Sequence, residues 1–545
     1  MDLFKYFRKK EPVTLNLPVK HMPRPRNTPV LELRSQLIQA TNNRLNASWY
    51  RLDLQSPDDL FATNIINLRK LSRRMTKEDA ITKSWYEALV TNVIGSHGIK
   101  FVPKIRRGNT SAAALNASVN KELRRAWKKF EKVCTVTRKA DWIGLQEQAI
   151  FTVSEDGECF VNVIIDRDVN EFGIALEILD VTLLDPEYTV NLKSGNGIRK
   201  IRQGIELDKY DRAVAYWFWN KYPNSKSNPG ELKRVRVPAL DLDKPGLQSG
   251  VIHLHYEAKD AANSLRGMPW LISVLDWLAR LNQYLDAELI AAVMSSMMPG
   301  VITTDKNDAS QYTDPTFTNV DRDSSLDSDG SLELPKGPEH ERIEYESGVM
   351  LKLAPGEKVE VPGFDRPNQA MQTATNLYLH AIAAGLGIAY STLTSDTSQE
   401  SYASGRLGVM QERDQWKRIQ AWFARALHQK VYEAWIRSAL RTPALDLPGT
   451  SEDYQEIEFR PRGWKWADQL REVKAVVEQM KMGVFPPSQI AEEFGADYEE
   501  TVAQTAADFE LMTKAGLDPS VIFAANVSAV NPSPDGKTPK ELEED

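Results

Sequence analysis

Arg266-Gly-Met-Pro-Trp270 leads into a run of helical period, from Leu271 to Met298, that stops at Pro299-Gly300. Leu271, Val274, Leu278, Leu281, Leu285 and Leu289 recur at three-to-four spacing and form one apolar stripe. Ser273, Asp276, Arg280 and Gln283 form a polar one. A helix over 270–298 would extend roughly 40 Å at 1.5 Å per residue. For an arbitrary chain such a stripe marks a core helix of one subunit.

Downstream the texture becomes acidic. Asp305, Asp308, Asp314, Asp321, Asp323, Asp327 and Asp329 stand against Lys306 and Arg322. A calcium loop starting at Asp321 fails on spacing. Its fifth position is Ser325 and its sixth is Leu326, where an EF-hand needs Asp or Asn and then Gly. The stretch therefore reads as a solvated acidic loop. Strand-like text follows at Gly348–Leu353 and Lys358–Val361, then a helix from Asn368 to Ala384, broken at Gly385-Leu-Gly387. Ser391-Thr-Leu-Thr-Ser-Asp-Thr-Ser-Gln-Glu-Ser401 reads as a polar loop. A long aromatic-rich helix is expected from Tyr402 to Leu440, with Trp416, Trp422, Phe423 and Trp435 along it. A strand at Glu456–Phe459 and two helices, 467–482 and roughly 486–515, complete the C-terminal half.

Upstream, residues 1–26 carry seven Lys/Arg against Asp2 and Glu11, a net of +5, and suggest a flexible arm. A helix is expected over about 29–50. A second, from Asp58 to Val93, is preceded by Pro57 and stopped by Gly95. The text from Gly98 is mixed. Strand signals at 99–102, 159–165, 175–179, 204–207, 213–219 and 251–256 alternate with helices over 118–133 and after Trp142. Their spacing fits antiparallel hairpins rather than regular βαβ units. The fold class expected is α+β.

The bulk numbers narrow the function. A chain of 545 residues has room for two to four domains. Its formal charge is −7, without the basic excess of a protein that grips phosphates across its surface. Cys134 and Cys159 are too few for a disulfide framework or a zinc site. No apolar stretch reaches the roughly 18 residues of a membrane span. The basic residues at the start lack the apolar core of a signal peptide, so the chain is expected to be soluble and intracellular when made. Catalytic machinery is not evident. There is no P-loop and no Gly-x-Ser-x-Gly elbow, and Gly385-Leu-Gly387 lacks a third glycine. His253 and His255 could share one face of a strand, but a metal would need further ligands. No metal, cofactor or enzymatic activity is expected.

Several blocks then resemble, in order and spacing, the lambda-type portal proteins of tailed bacteriophages. They are Asn92–Phe101, Glu155-Asp-Gly-Glu-Cys-Phe160, Leu179-Asp180 with Asp185, His253, Arg266–Trp270, Asp286-Ala-Glu288, Leu353-Ala-Pro-Gly-Glu357 and Ser401-Tyr-Ala-Ser-Gly-Arg406. Tyr402, Ser404 and Arg406 carry the last block, with Gly405 inserted before the arginine where the family's run has none. The resemblance implies a portal fold. It would have a basic arm (1–29), a mixed α/β wing (30–269), a stem helix (270–298), a clip (299–366) and a second stem helix (367–386). A tunnel loop (387–401), a long helix with a wing strand (402–466), an α-helical crown (467–515) and an acidic tail (516–545) would follow. It implies a twelve-membered ring at one capsid vertex, made in the host cytoplasm and retained in the virion. Double-stranded DNA would pass through without sequence specificity. The terminase large subunit, a head-completion or adaptor protein, and the major capsid and scaffold proteins would be its partners, with no membrane.

Site residues follow from the same resemblance. Ser391, Thr392, Thr394, Ser395, Thr397 and Ser398 would face DNA, with Ser273, Asp276, Arg280 and Gln283 on the stem. Asp321, Asp323, Asp327 and Asp329 would dock partners at the clip. Short hydroxyls suit weak, sequence-blind contact, whereas a bore lined with Lys and Arg would hold DNA tightly. Two rivals remain: a nuclease, which would need a metal-binding carboxylate cluster, and a minor capsid or assembly scaffold protein without a channel.

Overall fold

A computed structural model of the chain describes residues 57–106, 116–194, 197–223, 231–243, 246–256, 264–297, 301–304, 357–360, 369–398, 401–464, 469–484 and 486–516. The expected arm, the helix over 29–50, the acidic loop with Asp321, Asp323, Asp327 and Asp329, the strand at 348–353 and the tail beyond 516 lie outside them. The chain divides into two compact units, Met1–Asp276 with Leu379–Asp545, and Trp277–Tyr378. Helix and strand are mixed throughout, as an α+β chain requires.

In the larger unit, α1 (Pro57–Glu78) and α2 (Ala80–Val93) replace the single helix expected over 58–93. The break is at Asp79. Its extended backbone and its carboxylate, which accepts from Thr82 N at 2.7 Å, cap a new helix. A short strand β1 (Lys100–Pro103) precedes α3 (Ala117–Val133) and α4 (Trp142–Asp156). Helix α3 places Leu123, Ala126, Trp127 and Phe130 on one buried face. Helix α4 ends at Gly157, whose φ of +91° makes a left-handed cap.

Strands β2 (Glu158–Ile165), β3 (Ile174–Leu179) and β9 (Gly250–His255) form an antiparallel sheet with β2 at its centre. A second sheet is a five-stranded antiparallel meander, β4 (Val190–Ser194), β5 (Gly197–Arg202), β6 (Ile205–Leu207), β7 (Ala213–Trp219) and β8 (Arg234–Pro238). Phe160, Leu179, Val181, Ile205, Tyr216, Phe218 and Val251 join the two sheets in one buried cluster. The antiparallel pairing matches the expectation. Strands β4, β5 and β8 gave no apolar run in the sequence. β4 and β8 are the sheet edges, and edges are commonly written in polar and charged residues, such as Arg234-Val-Arg236.

The C-terminal half returns to this core. β12 (Ile457–Arg460) pairs antiparallel with β1, with Phe101 opposite Phe459. The long helix expected from Tyr402 to Leu440 is present as α8 (Tyr402–Phe423) and α9 (Lys430–Ala439), joined by a π-helical segment, Ala424–Gln429. Its aromatics meet α3. Trp127 and Trp435 lie edge to face at 5.1 Å and 88°, and Phe130 meets the same Trp435 at 6.0 Å, tilted by 40°. Each such pair adds roughly 0.5–1.5 kcal/mol beyond its area burial. The last helices are α10 (Gln469–Lys481), α11 (Pro487–Glu493) and α12 (Tyr498–Lys514). The helix expected over 486–515 is thus interrupted, and Asp497 caps its second part by accepting from Glu499 N at 2.9 Å.

The smaller unit holds most of α5 (Leu275–Met297), the start of α6 (Gln369–Leu386), and β10 (Val301–Thr304) paired antiparallel with β11 (Glu357–Glu360). Tyr378 meets Trp277 edge-on at 5.8 Å and stacks with Tyr284 at 6.3 Å.

Candidate functional site

The turn 264–270 that precedes α5 is built around ions buried away from water. Arg266 is fully buried and donates from Nε to Glu158 Oε1 at 2.7 Å and from Nη1 to Gln203 O at 3.0 Å. Arg69 on α1 donates to the same Glu158 oxygen at 2.7 Å, and also to Asp156 O and Gly267 O. His253 Nε2 lies 2.9 Å from the other oxygen, Glu158 Oε2, and its ring stacks on Phe160 at 4.6 Å. Burial pushes the Glu158 carboxyl up, but Arg266 and Arg69 outweigh it and hold the group well below the usual carboxylate range. Burial pulls Arg69 down to about 10 against the pull of Glu158. It also lowers His253, which the hydrogen bond to Glu158 only partly offsets.

Two glycines let these elements approach. A Cβ on Gly157 would come within 2.3 Å of Met268 C, and one on Gly267 within 2.0 Å of Gly157 O. Neither position has room for a side chain, so Glu155-Asp-Gly-Glu158 and Arg266-Gly-Met-Pro269 pack backbone to backbone. A second ion group lies beside the first. Arg73 donates to both oxygens of Asp156, at 2.7 and 2.6 Å, and to Asp180 Oδ1 at 2.9 Å. Asp185 is held by Arg234 at 2.9 Å. The blocks that stood apart in sequence therefore converge as a scaffold for the entry into α5. Their pairing, and the part of Arg69, were not legible, because the partners are 89 and 108 residues from Glu158.

The polar stem residues divide. Ser273, Arg280 and Gln283 are exposed, whereas Asp276 is buried, contrary to its place on the expected polar face. Ser273 Oγ donates to Gly385 O at 3.1 Å, and a Cβ on Gly385 would meet Val274 at 2.5 Å. The side chains of Ser273 and Val274, just ahead of α5, thus pack directly on the bare backbone of Gly385 near the end of α6. Along the apolar stripe Leu271, Val274, Leu278 and Leu281 are buried. Leu289 does not follow. It is 64% exposed, with Ile290 at 59%.

The hydroxyl-rich segment is partly helical where a loop was expected. Tyr390–Thr394 form a short helix, α7. Glu412 on α8 pins it, accepting from Ala389 N at 3.0 Å, from Thr392 Oγ1 at 2.7 Å and, through its other oxygen, from Trp416 Nε1 at 2.9 Å. Thr394 Oγ1 turns back to Tyr390 O at 2.9 Å. Ser395, at φ +57°, ends the helix, and Ser84 Oγ donates to Leu393 O at 2.9 Å. Ser391, Thr392 and Thr394 are consequently half-buried, while Ser395, Thr397 and Ser398 are exposed. Ser398 N donates to Asp396 Oδ1 at 2.9 Å, and this and the Ser398 side chain lower the Asp396 carboxyl.

The block at the start of α8 also has a local use. Ser401 caps the helix by accepting from Ser404 N at 3.2 Å, and Gly405 N donates to Ser401 O as in any first turn. Gly405 thus fits as an ordinary helical residue, and Arg406 is half-buried. Among the described residues no group of three or more His, Cys, Asp or Glu could hold a metal ion, and no helix is long and apolar enough to cross a membrane.

Comparison with known proteins finds relatives over most of the chain. A family model described as "Phage portal protein, lambda family" matches residues 42–420. A "Probable portal protein" of Halomonas phage phiHAP-1 is 26% identical over 483 residues, covering 88% of this chain and 87% of the relative. "Portal protein B" of Escherichia phage lambda is 22% identical over 427 residues, covering 74% and 76%. Among solved structures, a chain in the neck of an empty gene transfer agent particle aligns with 79% of this chain and 93% of its own length, at 11% identity and a TM-score of 0.40.

Proposed function

Because the chain belongs to the lambda family of phage portal proteins, we propose that copies of it close into a twelve-membered ring at one vertex of a capsid, around a channel that passes double-stranded DNA during packaging and ejection. It acts as a structural conduit rather than as an enzyme. The observation that carries this reading is the apolar surface the single chain leaves in water. Leu289 and Ile290 on α5, Leu377 on α6, Leu407 and Met410 on α8, and Val473, Val477 and Met480 on α10 are exposed. Exposed apolar residues on four helices are the surfaces that contacts between copies would cover. A ring closed head to tail uses two different faces of each subunit, and several helices can supply them.

Within that ring the exposed hydroxyls of Ser395, Thr397 and Ser398 would face the DNA, and α7 would carry them at a fixed position. Thr392 and Ser391 would support that segment from behind. Ser273, Arg280 and Gln283 would line the stem. The acidic clip segment would offer a polar rim to the terminase large subunit, and later to a head-completion protein. The major capsid and scaffold proteins would hold the outer edge, and assembly would begin in the host cytoplasm.

Electron microscopy of the purified full chain tests the reading. The expected result is a ring of near twelvefold symmetry with an axial hole. A monomer, or a solid assembly without a hole, would overturn it in favour of a minor capsid or scaffold role.

A further inference from the structure

Helix α3 is anchored on one side and unanswered on the other. Asn120 accepts from Ile105 N at 3.0 Å and donates to Ile105 O at 3.2 Å, and Trp127 packs on Trp142 and Trp435 at 5.8 and 5.1 Å. Leu123, Ala126 and Phe130 are buried beside them. The opposite face carries Lys121, Arg125, Lys128 and Lys132, all exposed. At 3.6 residues per turn these four positions fall within about 60° of arc, directly away from the core, in a row roughly 16 Å long. Lys129 is exposed along one side of the row. Across 117–139 eight Lys and Arg stand against Glu122 and Glu131, a net of +6, in a chain whose formal charge is −7.

The fold does not use this charge. The ion pair that α3 makes, Arg124 with Asp497 at 3.6 Å, lies to one side of the row. Among the described residues Lys121, Arg125, Lys128 and Lys132 enter no ion pair. Like charges one turn apart repel, so the row costs the helix stability while nothing faces it. Two kinds of partner could face it, an acidic protein segment or a nucleic-acid backbone. Contacts between proteins centre on apolar and aromatic anchors, where lysine is depleted. Among the described residues none of the exposed large apolar side chains lies on α3. A rigid row of cations without an anchor fits a partner whose charge is itself a regular array. Duplex DNA carries one charge per about 1.7 Å of its axis, so a row of this length meets several phosphates at once. Lysine meets phosphate as a point charge, and such contacts read no sequence.

We propose that the outer face of α3 is a docking surface for the phosphate backbone of duplex DNA, made by Lys121, Arg125, Lys128 and Lys132, residues distinct from those of the hydroxyl segment and the stem. The polyanion chemistry stands on the row itself; that the polyanion is DNA rests on the channel reading above.

A covalently closed circular duplex tests the surface, because it cannot thread a closed ring. Its binding to the full-length protein would be followed by gel shift across a salt series. The natural chain is compared with Lys121→Gln/Arg125→Gln/Lys128→Gln/Lys132→Gln, and with a control that loses four exposed lysines elsewhere, Lys83→Gln/Lys209→Gln/Lys474→Gln/Lys514→Gln. Both variants change the net charge equally. The natural chain and the control are expected to bind alike, with the row variant roughly tenfold weaker or more and its salt slope smaller by about three to four. Lys121→Gln/Lys128→Gln alone should lower the slope by about two, which keeps the test open if the fourfold change lowers the urea midpoint. Equal binding by the natural chain and the row variant, equal losses in the row variant and the control, or no binding by the natural chain would each overturn the proposal. Tighter binding of polyglutamate than of the circle would do so too, by assigning the row to an acidic protein segment. Particle images report on the ring separately, so row-dependent binding without a ring would overturn the channel reading and leave the row standing.

Discussion

The layer around Glu158 and the helices over 469–514 solve opposite problems. Around Glu158 every charged group is enclosed by its partners. Glu158 and Arg266 are fully buried, and β2 is covered on both faces. Across 469–514 the reverse holds. None of the side chains of α12 is buried, and Val473, Val477, Met480, Val502 and Leu511 all stand in water. One region is finished within a single chain. The other leaves apolar surface uncovered, as contacts between copies of the chain would require. Substitutions should therefore act on folding in the first region and on association in the second.

The largest effect is expected at Arg266. Arg266→Met removes one of the two arginines on Glu158 and leaves Gln203 O without that donor. Breaking a buried pair by removing one partner costs about 3–5 kcal/mol, because the remaining charge stays in a poor dielectric. The urea midpoint of the variant should fall accordingly, and a midpoint near that of the natural chain would mean that Arg69 alone suffices. The same cluster gives an acid limit. The folded Glu158 pKa is depressed, so its contribution is complete above the unfolded value and is lost only as pH falls through the folded one, well below 4.5.

A smaller, milder-pH effect is expected from His428, in the π-helical segment. Its ring is buried against Trp142, Phe423 and Phe459, and its Nδ1 lies 3.3 Å from Phe423 O. Burial lowers its pKa to about 3. Below the ordinary value of about 6.5 the unfolded chain takes up a proton that the folded chain refuses, so stability falls as pH drops. Between pH 6.5 and 4.5 this amounts to about 2 kcal/mol. His428→Leu should flatten the stability curve over that window by the same amount. His253 is also lowered by burial and acts in the same direction, so the difference between variant and natural chain is the quantity to read.

How far the sequence announced all this differs by region for physical reasons. The stripe Leu271–Leu281, the strand Ala213–Trp219 and the buried face of α3 were plain, because burial within one element imposes a period. The edge strands β4 and β8 were silent, since an edge needs no apolar run. The break at Asp79 was readable in principle from an acidic N-cap, but the apolar period of α1 and α2 runs across it. The hydroxyl segment was noticed for its composition, while its helical half was hidden. What makes α7 a helix is Glu412, 20 residues further on and invisible to any local window. The Glu158 cluster shows the same limit more strongly. Gly157 and Gly267 were visible as glycines, but nothing nearby said that they face each other. Leu289 marks the other kind of failure. Its period is correct, yet period alone does not say whether a stripe meets its own chain or a neighbour.

The smallest effect on the folded chain, and the sharpest on the comparison, belongs to α12. Leu511 is 64% exposed, and no neighbour on its helix is buried. Leu511→Ser should leave the urea midpoint within about 0.5 kcal/mol of the natural chain, as surface substitutions usually do. If copies of the chain cover this face, the same change removes apolar area from each contact and repeats the loss around the ring. Sedimentation velocity should then show more dissociated subunits at low concentration, with unfolding unaltered. A change in the urea midpoint without any change in sedimentation would reverse the assignment, making α12 part of the fold and leaving the contacts between copies to α5, α6 and α8.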